Sequence, residues 1–106
     1  MENKIKVILT TFSKMDDARL LCEKLVEADL SPYIQLIPKI ISIYKWEEKL
    51  NEDSEILALI KLDGNNEERI FNFLYKNHPY ETPEIISINA EILNKEYQDW
   101  FFSKNQ

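Results

Sequence analysis

Apolar positions along this chain follow two periods, and the change from one to the other marks the elements. Ile5-Lys6-Val7-Ile8-Leu9-Thr10-Thr11-Phe12 is short and rich in β-branched residues, so it predicts a largely buried strand. Ala18, Leu21, Cys22, Leu25 and Ala28 then recur at helical spacing and form one apolar stripe. Ser13, with Asp16 three residues on, reads as the cap of that helix, and Leu30-Ser31-Pro32 ends it. From Tyr33 to Trp46 the pattern is extended, in two runs separated by Pro38. Proline has no N–H for a ladder, so a bulge or a free edge is expected there. Glu47 to Asp53 reads as a charged turn, and Glu55 to Leu62 as the returning strand of a hairpin. Asp63-Gly64-Asn65-Asn66 is a turn into a helix with Ile70, Phe73 and Leu74 facing inward. That helix has Glu67 and Glu68 at its positive end and Lys76 in its last turn. A last strand, Ile85 to Ala90, precedes a helix starting near Asn94, with Tyr97, Trp100 and Phe101 on one side.

The order is β-α-β-β-α-β plus a helix. It predicts an α+β, ferredoxin-like sandwich in one domain spanning 1–106, with a long hairpin and an extra C-terminal helix. The hairpin is long for its domain. Strands of fourteen residues span roughly 45 Å at about 3.3 Å each. A domain of about 100 residues is only roughly 35 Å across. The tip should therefore project, carrying Tyr44, Trp46 and Leu50. Exposed aromatics on an unpaired ribbon invite aggregation, so another subunit is expected to cover them.

Composition narrows the function. A net charge of −6 argues against sequence-independent nucleic-acid binding, which needs a basic footprint. The apolar runs are strand-sized, so no membrane span is expected. The one cysteine, Cys22, has no internal partner for a disulfide, and a cytoplasmic setting is expected. Its place in the helical stripe makes it a buried small hydrophobe rather than a nucleophile. With a single glycine, Gly64, no phosphate-cradling loop can be built. No HExxH, CxxC or nucleophile motif is present, and an enzyme is not expected.

The candidate chemistry lies in His78-Pro79-Tyr80-Glu81-Thr82-Pro83-Glu84-Ile85, which holds the only histidine and two of the four prolines. Each proline biases its predecessor, His78 or Thr82, toward extended geometry and stiffens the segment. The imidazole of His78 with the carboxylates of Glu81 and Glu84 makes a candidate site for a weakly held borderline divalent ion, Cu or Zn. The alternative is a rigid connector in which His78 hydrogen-bonds locally to close the turn.

The chain resembles the CutA family of divalent-cation tolerance proteins from Ile5 to about Phe101. Three blocks carry the resemblance: Ile37-Pro38 through Ser42-Ile43-Tyr44-Lys45-Trp46-Glu47; Glu52-Asp53-Ser54-Glu55 leading to Leu59-Ile60-Lys61; and His78 to Ile85. The resemblance implies a homotrimer with a cleft between subunits. The counterparts of Lys61, His78, Tyr80 and Glu81 line that cleft, with Lys61, Tyr80 and Glu81 as ligand-binding candidates. It also implies a link to copper and other divalent cations, and no enzymatic reaction. The family is similar to the PII signalling trimers, which raises a small ligand, such as an anion, or a protein as partner. Two positions depart from the family pattern. Tyr33 stands in Pro32-Tyr33-Ile34-Gln35 where the family has cysteine, and Glu48 stands where it has glycine. The first removes the soft sulfur ligand that Cu(I) prefers.

Overall fold

The computed structural model describes residues 4–103. Strand β1 (Lys4–Phe12) leads to helix α1 (Met15–Glu27), then to strands β2 (Tyr33–Trp46) and β3 (Lys49–Leu62). Helix α2 (Glu67–Asn77), strand β4 (Ile86–Glu91) and helix α3 (Lys95–Ser103) complete the described chain. The sheet has four strands in the order β2-β3-β1-β4, every neighbouring pair antiparallel. This is the ferredoxin-like arrangement that the element order predicts.

One face of the sheet lies under α1 and α2. Ile8, Phe12, Ile56, Ala58, Ile60 and Leu62 point there from alternate positions of β1 and β3, and all are buried. The α1 stripe meets them with Ala18, Leu21, Cys22 and Leu25, and α2 with Ile70 and Leu74. Each of the isoleucine, leucine and phenylalanine side chains among these contributes about 1.5–3 kcal/mol by leaving water. Burial pushes the Cys22 thiol up to about 11, with the Glu23 charge adding to the shift. The thiolate, the reactive form, is therefore scarce near neutral pH. On the opposite face α3 covers one corner, where Ile5, Ile92 and Phe101 form a second small core.

Three details differ from the reading of the sequence. The residue before α1 is Lys14, in extended geometry and with no side-chain cap; Ser13 lies one residue too early to cap the helix. Ala28 lies past the end of α1 and is exposed, because the chain turns at Asp29 with φ 60°. The turn into α2 is where the sequence places it: Gly64–Asn66 is a 3-10 turn capped by the Asp63 carboxylate, which accepts from the Asn65 N–H.

The largest difference is the hairpin. Its turn is only Glu47-Glu48, at φ 50° and 65°, and β3 starts at Lys49. Two adjacent residues with positive φ match the twist of the flanking strands, as in the two-residue hairpin turns usually built from Asn-Gly. Pro38 behaves as expected. Ile37 pairs with Leu57 and Ile40 with Glu55, so Pro38 and Lys39 together face Ile56 in a bulge, with Lys39 at φ 62°. The molecule measures 48 × 25 × 22 Å, the long axis being set by a ribbon that outruns its own helices.

Candidate functional site

The segment after α2 is held as the two prolines require. His78 closes the helix with φ −66° and ψ 138°, the extended geometry of a residue that precedes proline. Its backbone N–H still donates to the Leu74 carbonyl at 2.8 Å, so the ring is placed at the very end of α2. From there the imidazole turns inward, stacks on Phe12 with centroids 4.6 Å apart and is buried.

Both ring nitrogens are engaged. Nδ1 accepts from the Tyr80 backbone N–H at 3.0 Å, which places the proton of the neutral ring on Nε2. Nε2 then donates to the Thr11 carbonyl at 2.8 Å, closing the end of β1. Burial lowers the His78 pKa from its ordinary value, against smaller opposing effects from the Thr11 hydrogen bond and from Asp17 and Glu55. The ring is thus a neutral clasp between the loop and the sheet.

Tyr80 reaches across to the hairpin. Its hydroxyl donates to Glu55 Oε2 at 2.7 Å, while the other oxygen of that carboxylate accepts from the Ser42 hydroxyl at 2.6 Å. Burial and the Glu55 carboxylate push the Tyr80 phenol well above its ordinary pKa. One step further out on the hairpin, the Tyr44 hydroxyl donates to Asp53. Glu55 is therefore the hub that ties β2, β3 and the His78 loop together. The sequence reading passed over it as the first residue of an apolar strand. The available signal was an acid at the border between the polar Glu52–Ser54 run and the apolar Ile56–Ile60 run.

Glu81 and Glu84 are exposed, and neither joins this network. The expected metal set of His78, Glu81 and Glu84 does not assemble. His78 has no lone pair to give without breaking the hydrogen bond from the Tyr80 N–H to Nδ1. Among the described residues no three His, Cys, Asp or Glu side chains converge on a point fit for a metal ion. The reason is geometric: a stiff Pro-bracketed turn closes on its own histidine and fans the carboxylates outward.

Lys61 stands on the sheet face that α1 and α2 leave open, paired across the strands with Val7 and Tyr33. Its ammonium lies 4.5 Å from the centroid of the Tyr33 ring, a cation–π contact. Tyr33 in turn packs on Tyr97 and Trp100 of α3. Tyr33 is thus part of an aromatic cluster. Lys61 is six residues beyond Glu55 along β3, about 20 Å at roughly 3.3 Å per residue. Lys61 and Tyr80 of one chain therefore do not share a site.

The chain is a ferredoxin-like sandwich with an overlong hairpin and a hydrogen-bonded clasp of His78, Tyr80 and Glu55. The chain belongs to the CutA1 divalent ion tolerance protein family, whose family model matches residues 6–104. It is 33% identical over 95 residues to the divalent-cation tolerance protein CutA of Thermus thermophilus, covering 90% of this chain and 92% of that one. It is 37% identical over 83 residues to the human protein CutA, covering 78% of this chain but only 46% of the human protein. Among solved structures, CutA from Synechococcus elongatus superimposes with a TM-score of 0.91 at 26% identity, over 99% of this chain and 93% of that one. The Thermus thermophilus structure gives a TM-score of 0.84 at 32% identity, over 92% and 94% of the two chains. The Archaeoglobus fulgidus neighbour, described as periplasmic, shares the fold with a TM-score of 0.88 at 24% identity. No described helix of this chain is long and apolar enough to cross a membrane.

Proposed function

We propose that this chain works as a homotrimeric binding or signalling module in divalent-cation tolerance, with its ligand cleft between subunits rather than inside one. The observation that carries this reading is the apolar surface left uncovered by the chain itself. Ile37, Ile41, Ile43, Tyr44, Trp46 and Leu50 of the hairpin are all at least 41% exposed. Ile86 and Ile88 on the free edge strand β4 are similarly open. Unpaired ladder groups and apolar side chains on the same ribbon are satisfied together when strand edges pair between subunits. Such an interface would be obligate and would bury well over roughly 2,000 Å². The family resemblance implies a cleft between subunits in which Lys61 would meet a neighbour's Tyr80, a pairing that one chain alone does not make.

Within this reading Cu or Zn is not held by His78, whose nitrogens serve the fold. A divalent ion would have to find carboxylates from more than one subunit. A reducing, cytoplasmic setting fits the single buried cysteine. Thermal-shift titrations with Cu(II) and Zn(II) test the cation link: a ligand at one hundred times its Kd stabilises by about 2.7 kcal/mol. The expected result is a saturable rise in Tm that persists in His78→Gln. No rise with either ion would contradict a direct role for the cation. A second reading, a scaffold for a small organic anion, is favoured by one observation: among the described residues no carboxylate pairs with Lys61.

A further inference from the structure

Four side chains stand together on the sheet face that α1 and α2 do not cover. Tyr33 is the floor, 38% exposed. Lys61 lies over its ring, with Nζ 4.5 Å from the centroid. Trp100, also 38% exposed, meets Tyr33 edge-on at 89° with centroids 6.0 Å apart. Tyr97 packs on both, 6.2 Å from Tyr33 and 5.5 Å from Trp100. Its hydroxyl oxygen is buried and has no hydrogen-bond partner.

Two donors in this cluster lack an acceptor. The Lys61 ammonium has only a π face beneath it, and the Tyr97 hydroxyl has nothing. The exposed parts of Tyr33 and Trp100 are flat, apolar and rigid. Rings of this kind attract another ring at low entropic cost. A cation beside two open aromatic surfaces selects one ligand chemistry: a planar ring bearing a carboxylate. A metal cation is disfavoured by the ammonium. An aliphatic anion would leave the rings unused.

We propose that Tyr33, Lys61, Tyr97 and Trp100 form a binding site for a small aromatic carboxylate, with the carboxylate on Lys61 and the ring against Tyr33 and Trp100. The site deepens the trimeric reading above and rests on it in one respect: the shelf is open in a single chain, and a neighbouring subunit would supply its second wall. Tyr33 is decisive, because cysteine at this position would remove both the floor and the seat of the ammonium.

The probe is benzoate, titrated into the full chain and followed by the two tryptophan indole N–H signals in a two-dimensional proton–nitrogen spectrum, with Trp100→Phe assigning them. Benzoate is expected to shift the Trp100 signal saturably and to leave Trp46 in place. Inorganic phosphate, which has the charge without the ring, and benzyl alcohol, which has the ring without the charge, should each bind at least tenfold more weakly. Lys61→Met should weaken benzoate about tenfold, the scale of one charge-assisted hydrogen bond, and Lys61→Arg should restore most of it. Tyr33→Leu should weaken it similarly while keeping the apolar contact with α3. Equal response to benzoate and phosphate, or no loss in Lys61→Met, would overturn the aromatic-carboxylate site. So would a Trp100 signal indifferent to all three probes in a protein that sediments as a trimer, since Lys61 would then be paired by a neighbour's carboxylate. A monomer that binds benzoate would instead defeat the trimeric reading and leave the site standing.

Discussion

The two halves of β3 make the most instructive comparison in the molecule. From Ile56 to Leu62 every second residue, Ile56, Ala58, Ile60 and Leu62, is buried under α1 and α2. From Lys49 to Glu55 the same strand, with the same partner β2, has no helix above it, and Leu50 is 78% exposed. The ladder hydrogen bonds run through both halves. Hydrogen bonding alone therefore gives the ribbon its shape but not its stability. What separates the halves is apolar cover, which the chain supplies to one and not to the other. Ser42, Glu55 and Tyr80 sit at the border, and their hydrogen bonds anchor the uncovered half to the covered one.

The sharpest way to break this comparison is to put a charge in each half. Ile60→Asp buries an unpaired carboxylate and should abolish folding, with a cost of at least about 4 kcal/mol. In an isolated subunit Ile43→Asp should cost no more than about 0.5 kcal/mol, because the side chain is 65% exposed. In the assembled protein it should instead give aggregated or unfolded material, as should Trp46→Asp. Circular dichroism with size-exclusion chromatography reads both. A well-folded, soluble Ile43→Asp monomer would show that the outer half of the hairpin needs no cover.

Next in size is the clasp at the border. His78→Ala leaves the Thr11 carbonyl and the Tyr80 N–H without partners and a void beside Phe12, so it should cost about 2–3 kcal/mol in urea unfolding. The pH dependence has a definite sign. Above about pH 6.5 the ring is neutral in both folded and unfolded states. Below it, the unfolded chain takes up a proton that the buried ring resists, because burial depresses the folded pKa. Stability should therefore fall as pH drops below about 6.5, until the folded pKa is reached. Urea midpoints at pH 7.5 and 5.5 test this, and His78→Gln should flatten the difference.

Cys22→Ala should cost about 1–2 kcal/mol, the loss of a small buried side chain under α1. Its thiol should be slow toward iodoacetamide near pH 7 in the native state. The smallest effect is at the hairpin tip. Glu48 has φ 65°, a region that costs a side-chain-bearing residue about 1 kcal/mol and glycine little, so Glu48→Gly should stabilise by about 0.5–1 kcal/mol. Thermal denaturation at equal protein concentration would register the gain.

The covered half of the molecule was legible in the sequence and the uncovered half less so, for a physical reason. Burial under helices writes an alternating or helical apolar period into the chain, and Ile56 to Leu62 or Ala18 to Leu25 can be read from it. Asn51, Glu52 and Asp53 are strand residues, but no helix covers them, and their polarity suggested a turn. The actual turn, Glu47-Glu48, has no glycine or asparagine to announce it. Pro38 announced its bulge because a missing N–H is visible in any sequence. The stiffness of the His78 segment was also visible, through Pro79 and Pro83. Its use was not: Thr11, the acceptor for the His78 ring, is 67 residues away, and only the fold brings the two together.

Sedimentation equilibrium on the wild-type chain at micromolar concentration tests the central claim most directly. A single species at three times the 12.6 kDa chain mass, with no detectable dissociation, is the predicted result. A stable, folded monomer would contradict it, because the exposed isoleucines and Trp46 of the hairpin would then be facing water with nothing to cover them.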